Sequence, residues 1–380
     1  MKDKVDHTPL HFCLRVTALI TLLFFLPSSA ISKENIKLRL GGRMHIDGVW
    51  FKNSPPEFKN DIDIRRARMS LRADLFEHWR FFTELDLADE DKPFESLWLS
   101  YRRFDSSIRF GQFVEPFGLE NSTSSNSITF LERALPTALT PGTNVGLALS
   151  SPYTKGSSAI GIFWETYVED SQPFDHKEGT GLSGRFTYAP LHRSQSTLHL
   201  GISASMRKPN ETNRVRFRSR PETRLTSERL INTKRIKNVK RFTTIGFESG
   251  FTHKAFSMQG EYIQNQVDLN NHNKNEAFHG AYVNLSWIMT GEQRPYTVKR
   301  GKFGKIKPKR SIGAWEIAIR KSYLDLNGNN VNGGREDNIT LGVNWFSSSS
   351  MRWMWNIIQA RTDQTAEKLT IFLMRFQWST

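Results

Sequence analysis

The sequence predicts an all-β fold, a 16-stranded antiparallel transmembrane β-barrel, on three observations. Apolar and polar residues alternate with a period of two through most of the chain, the pattern of a sheet whose two faces meet unlike surroundings. The alternating segments number sixteen, an even count, as a closed bacterial barrel with both termini on one side requires. The connections between them sort by parity into long and short, the arrangement of outer loops and inner turns.

The segments read as follows. Strand 36–51 sets Leu38, Leu40, Met44, Ile46 and Trp50 on one face and Lys37, Arg39, Arg43, His45 and Asp47 on the other. Strand 62–75 opposes Ala67, Met69, Leu71, Ala73 and Leu75 to Arg66, Arg68, Ser70, Arg72 and Asp74, and 79–88 opposes Trp79, Phe81, Leu85 and Leu87 to Arg80, Glu84 and Asp86. Shorter alternating runs follow at 94–103, 107–114, 144–151, 157–165 and 181–189. In 196–207, Leu198, Leu200, Ile202, Ala204 and Met206 oppose His199, Ser203, Ser205 and Arg207. The remaining strands are 242–252, 256–265, 277–289, 311–322, 337–346, 351–361 and 368–378, the last ending on an aromatic face of Phe372, Phe376 and Trp378.

Odd-numbered connections run 52–61, 89–93, 115–143, 166–180, 208–241, 266–276, 323–336 and 362–367. The even-numbered ones are tight turns apart from 290–310. In lipid each unpaired backbone group costs several kcal/mol, so a spanning sheet must close on itself. An arginine on the lipid face costs about 2–4 kcal/mol at the bilayer midplane. The arginine-bearing face of 65–72 is therefore expected to point inward.

Composition agrees. Of 380 residues only 38% are hydrophobic and the mean hydropathy is −0.50, which excludes a helical membrane protein of many spans. The 10 Trp, 8 Tyr and 27 Phe are too many for a disordered chain. The single cysteine, Cys13, removes disulfide scaffolds, thiolate zinc sites and cysteine catalysis together. A net charge of +15 calls for an anionic partner: nucleic acid, anionic lipid or small anions. Lys2, Lys4 and Arg15 precede an apolar run at 16–26, and Pro27, Ser28, Ser29 and Ala30 follow it. These are the parts of a cleaved signal peptide, 1–30, since a spanning helix needs about 20 apolar residues. Residues 31–380 are then the mature barrel, and export argues against nucleic acid as the partner.

Four blocks of the chain resemble one family. They are RFGQFVEPFGLENSTSSNSITFLERALPTALTPGTNVG (109–146), VRFRSRPETR (215–224), TGEQRPYTVKRGKFGKIKPKRSIGAWEIAIR (290–320) and GGREDNITLGVNWF (333–346). Together they resemble the phosphate-selective porins O and P, over nearly all of the mature chain. The resemblance implies a sixteen-stranded homotrimeric barrel in the Gram-negative outer membrane, among lipid and lipopolysaccharide, passing phosphate or other oxyanions and needing no cofactor. It also implies that loop 115–143 folds inward as the constriction.

Within that loop, Ser124, Ser125 and Arg133 are pore-lining candidates, beside Thr123 and Asn126. Phe117, Leu119, Ile128, Phe130 and Leu131 would pack it against the wall. The sharper pattern lies in loop 208–241, where Arg214, Arg216, Arg218 and Arg220 alternate and Arg224 follows. An extended chain puts the four guanidiniums on one side, about 6–7 Å apart, a row of forks suited to phosphate. A solvated loop, or a lipopolysaccharide-binding patch at the rim, is the competing reading. The family resemblance implies arginines at the pore entrance. A second alternating set, Lys305, Lys307 and Lys309, sits in the long turn 290–310. The resemblance at GKIKPK implies that Lys305 or Lys307 belongs to the narrowest point. The alternative is a basic periplasmic turn.

Other patterns carry less. Asp325, Asn327, Asn329 and Glu336 have the spacing of a calcium loop, but Asn330 stands where that loop requires glycine. Asn121-Ser122-Thr123 is a glycosylation sequon by chance in a bacterial surface protein. The ten histidines form no Ser/His/Asp or Asp/His constellation, so an enzyme is not expected. A general diffusion porin with an incidentally basic lumen and a surface-binding barrel are the alternatives to an anion-selective channel.

Overall fold

The computed structural model describes residues 36–52, 54–89, 93–164, 179–210, 212–270 and 275–380. The expected signal peptide at 1–30 and most of loop 166–180 lie outside them. Among the described residues there are twenty strands, numbered here in chain order. Sixteen close the barrel: β1 (Ile36–Lys52), β2 (Asp61–Leu75), β3 (Trp79–Asp86), β4 (Phe94–Arg103), β5 (Ser106–Val114), β6 (Thr143–Tyr153), β7 (Gly156–Trp164), β8 (Thr180–His192), β9 (Ser196–Lys208), β12 (Val239–His253), β13 (Phe256–Leu269), β14 (Glu276–Ile288), β17 (Ala314–Asn327), β18 (Asn332–Phe346), β19 (Met351–Thr362) and β20 (Thr365–Ser379). Two-residue ribbons stand apart inside connections: β10 (Arg218–Ser219) with β11 (Ile231–Asn232), and β15 (Tyr296–Thr297) with β16 (Lys302–Phe303).

Each barrel strand pairs antiparallel with its neighbours. The seam between first and last strands runs from Arg43↔Ser379 to Lys52↔Thr370. Closure leaves no sheet edge, which a bilayer demands. The outward face carries exposed Leu40, Met69, Phe110, Ile160, Phe247 and Leu341, while Arg66, Arg185, Arg320, Arg352 and Arg375 are buried on the inner face. The alternation thus sorts as the lipid-face argument requires.

Several strands extend beyond their expected limits, β17 and β18 the furthest. β17 continues to Asn327 and β18 begins at Asn332, so the connection is a tight turn at 328–331 rather than a loop at 323–336. The reason lies inside. Leu324 and Leu326 face inward but are apolar, in a cluster with Ile263, Val267 and Phe278 of the wall and Phe217, Ile231 and Ile236 of the connection 209–238. Where the lumen is plugged by packed chain, the inner face is apolar, and the two-faced contrast that marks a strand fades. Glu336 is consequently a buried inward residue of β18, not the end of a calcium loop.

Candidate functional site

Connection 115–142, after β5, lies inside the barrel. Its apolar residues are the anchor: Phe117, Leu119, Ile128, Phe130 and Leu131 are all buried. Inward side chains from around the wall hold its backbone. Arg352 donates to the carbonyls of Ile128 and Thr129 at 2.8 and 2.9 Å, Arg320 to Glu132 O at 2.9 Å, and Arg375 to Leu131 O at 2.5 Å. On the opposite side Gly118, at φ 65, opens the one-turn helix α1 (Leu119–Ser122). Glu261 of β13 accepts the N–H groups of Leu119 and Glu120 at 2.9 and 2.7 Å. The expected wall contact and the expected polar loop are therefore one structure.

Between this loop and connection 209–238 lies a cavity of about 570 Å³. Eleven arginines line it, against two carboxylates, Glu132 and Glu222. Arg65 and Arg66 come from β2. They are adjacent in sequence, yet both reach the interior because the ladder to β1 shifts register there: His45 pairs with Arg66 and Ile46 with Ile64. A bulge of this kind leaves one residue unpaired and re-aims it. Arg65 then meets Glu132 at 2.9 Å, and Arg66 lies 3.3 Å from His45 Nδ1. Arg207 of β9 adds another guanidinium, paired with buried Glu115.

The row expected in loop 208–241 also faces this cavity. Val215 bridges to Ile236, and Arg218 and Ser219 pair with Asn232 and Ile231. Phe217 packs into the apolar cluster and Val215 against it. The alternate residues Arg214, Arg216, Arg218 and Arg220 line the cavity, as does Arg224. Arg216 Nε donates to Asn232 Oδ1 at 3.0 Å. Arg229 and Arg235, which sequence reasoning did not single out, complete this wall.

The remaining candidates have different placements. Arg133 lines the cavity but braces the loop, donating to Glu120 O at 3.0 Å and Thr123 O at 2.9 Å. Ser124 is exposed and does not line the cavity. Ser125 accepts from Arg43 Nη1 of β1 at 3.1 Å, where the loop touches the wall. Lys305, Lys307 and Lys309 lie away from the arginine cavity. Lys305 donates to Ser379 Oγ at 2.7 Å, and Ser379 is the register partner of Arg43, so Ser125 and Lys305 share the β1–β20 seam. Burial, and then Arg352, push the Lys305 ammonium below its ordinary value. Lys307 and Lys309 are exposed, whereas Ile306, between Lys305 and Lys307, is buried with Ile288, Ala314 and Phe346 at the strand ends.

The long turn does fold into the lumen, through Lys302 rather than the expected lysines. Lys302 Nζ donates to Ser122 O of the in-folded loop at 3.2 Å, and Arg185 of β8 donates to Gly301 O at 2.7 Å. Burial, and then Arg300, Arg185 and Arg109, bring the Lys302 ammonium down to about 8. A second cationic group thus lies at the inner end of the lumen. Nothing in the sequence pattern marked it: Lys302 stands three residues before the alternating run of lysines and out of step with it.

A closed sixteen-stranded antiparallel barrel with an apolar outer face, a charged inner face and a wall-anchored loop across its interior is a porin of the outer membrane. The family model described as phosphate-selective porin O and P matches residues 38–379. The chain belongs to that family. Porin O of Pseudomonas aeruginosa is 25% identical over 377 residues, covering 88% of this chain and 85% of that one. Among solved structures, an anion-selective porin from Comamonas acidovorans superposes with a TM-score of 0.57 at 11% identity, over 91% of this chain and all of that one. OmpT, an outer membrane protein of Vibrio cholerae, gives 0.57 at 11% identity over 92% of this chain and 99% of that one. These two likenesses are of fold alone.

Proposed function

We propose that this porin provides passive, anion-selective diffusion across the outer membrane, with phosphate, pyrophosphate or polyphosphate as the oxyanions it serves. The observation that carries the reading is the cavity with eleven arginines and two carboxylates. A guanidinium offers planar paired donors that match phosphate oxygens. At 4 Å and an effective dielectric near 20, one unit pair attracts by about 4 kcal/mol. A single deep site would hold the ion, whereas several comparable sites let it step onward. The cavity suits stepping: Arg65, Arg66 and Arg207 reach it from the wall, the row Arg214–Arg220 from the loop. The in-folded loop serves as the constriction, with Ser125 at its contact with the wall, Lys305 at the same seam and exposed Ser124 beside them on the loop.

The same reading includes a signal peptide at 1–30, a homotrimer and a belt of outer-membrane lipid and lipopolysaccharide. Membership of the family that includes Porin O supports it. The test is single-channel conductance and reversal potential in a planar bilayer under a KCl gradient, with phosphate titrated in. Anion selectivity with block by micromolar to millimolar phosphate supports the proposal. A large, weakly selective conductance indifferent to phosphate overturns it and leaves a general diffusion porin.

A further inference from the structure

We propose that Glu84 and Glu95, clasping Arg43 and Arg68, are specificity-determining residues at the waist of this channel, which they keep from becoming an anion trap. The proposal rests on the anion-channel reading and adds the reason such a channel would not be blocked by its own cargo.

The inner face of β2 maps the route. Arg65 and Arg66 belong to the outer cavity. Arg68 is next along the strand, then Ser70, then Arg72 near Arg80 and Arg300 of the inner cationic group. At the level of Arg68 the loop touches the wall through Ser125 and Arg43. The passage is therefore hemmed between loop and wall at this level.

Here the charge balance reverses. Arg68 Nε meets Asp86 at 2.7 Å, and its Nη1 meets Glu84 at 3.2 Å and Glu95 at 3.0 Å. Arg43 Nη2 meets the other oxygen of Glu84 at 2.5 Å. Two guanidiniums thus face three carboxylates, where the outer cavity sets eleven against two. Glu95 reaches Arg68 because the β3–β4 ladder shifts register between Glu84 and Leu85, leaving Glu95 unpaired and turned inward. Its side chain is 27% exposed, against 8% for Glu84 and 4% for Asp86. Asp86 also accepts the backbone N–H groups of Ala67 and Ala88, so it has a structural task. Glu84 and Glu95 have no comparable backbone bonds among the described contacts.

An oxyanion arriving at the waist must compete with a carboxylate already on each guanidinium. Binding there is weakened while the arginines at both ends still draw anions in, which is the condition for conduction rather than capture. Bare arginines at the waist would add one more binding site where the passage is hemmed in.

The experiment compares wild type with Glu84→Gln, Glu95→Gln and the double variant in planar bilayers, using inorganic phosphate as the probe. Heat-modified gel mobility confirms a folded barrel in each. Releasing a charge-assisted pair is expected to lower the half-blocking phosphate concentration about tenfold, with a reversal potential shifted toward anions. Arg68→Gln, which leaves the carboxylates in excess, is expected to shift it toward cations. Half-block and reversal potential within twofold of wild type in all folded variants overturn the proposal. If wild type itself proves indifferent to phosphate, the anion-channel reading fails; a gain of phosphate block in the double variant then still supports the waist, and its absence sinks that too.

Discussion

Arg375 and Asp47 face each other directly across the seam between β20 and β1, and the guanidinium forks onto both carboxylate oxygens at 2.6 Å. The same arginine bonds Leu131 O and Glu132 of the in-folded loop. One residue therefore ties barrel closure to loop position. Removing one partner of a buried ion pair costs about 3–5 kcal/mol, because the other charge stays buried without it. Asp47→Asn is expected to lower the urea unfolding midpoint of the refolded barrel and to make single-channel current noisier as the loop loosens. An unchanged midpoint would show that Arg375 is held by the loop contacts alone.

Gly118 anchors the other end of the loop. Its φ of 65 lies in the left-handed region, and a Cβ built there would come within 2.7 Å of Glu261 Oε2. Gly118→Ala therefore costs roughly 1–2 kcal/mol from backbone strain and displaces the carboxylate from the N–H groups of Leu119 and Glu120. The expected outcome is a folded barrel with altered open-channel conductance. The check is a conductance histogram beside heat-modified mobility; identical histograms would mean the loop shifts without moving the constriction.

The arginine row gives a graded prediction. Arg216, Arg218 and Arg220 each border the cavity, and a charge-assisted hydrogen bond contributes about 1.5–3 kcal/mol. Each single change to Ala is expected to raise the half-blocking phosphate concentration by roughly tenfold or less, because neighbouring arginines still offer forks. The triple change should raise it well beyond any single one. Equal effects from the three singles and the triple would argue for one deep site in place of a series.

Much of this was legible because lipid enforces a two-faced strand. Met69 and Leu341 outward, Arg66 and Arg320 inward, follow from alternation alone, and so does the row from Arg214 to Arg220, whose alternate residues Val215 and Phe217 find an apolar floor. Three things were not legible. Bulges break the parity that the reading relies on, so alternation gives no sign that Arg65 and Glu95 turn inward beside their neighbours. The apolar interior around Leu324 and Leu326 erased the contrast at one strand end. Lys302 went unmarked because Lys305, Lys307 and Lys309 alternate so plainly, while the turn's path follows its buried apolar residues Phe303 and Ile306. Arg320, Arg352 and Arg375 had the right parity throughout; only the loop's path, unknown from sequence, gives them their task.

Lys302 supplies a pH test with opposite signs in two observables. Its ammonium is brought from 10.5 to about 8, by burial first and by Arg300, Arg185 and Arg109 after it. As pH rises through about 8 the inner group loses one positive charge, so the anion-to-cation permeability ratio is expected to fall between pH 7 and 9. Stability moves the other way. Between about 8 and 10.5 the unfolded chain still holds the proton that the folded chain has released, so unfolding free energy rises with pH in that window. Lys302→Gln should abolish both slopes and give the lower permeability ratio at every pH. Lys302→Arg, with a guanidinium that stays charged across this range, should hold the ratio at its neutral-pH value through pH 9. A ratio independent of pH in wild type would place Lys302 outside the ion's path.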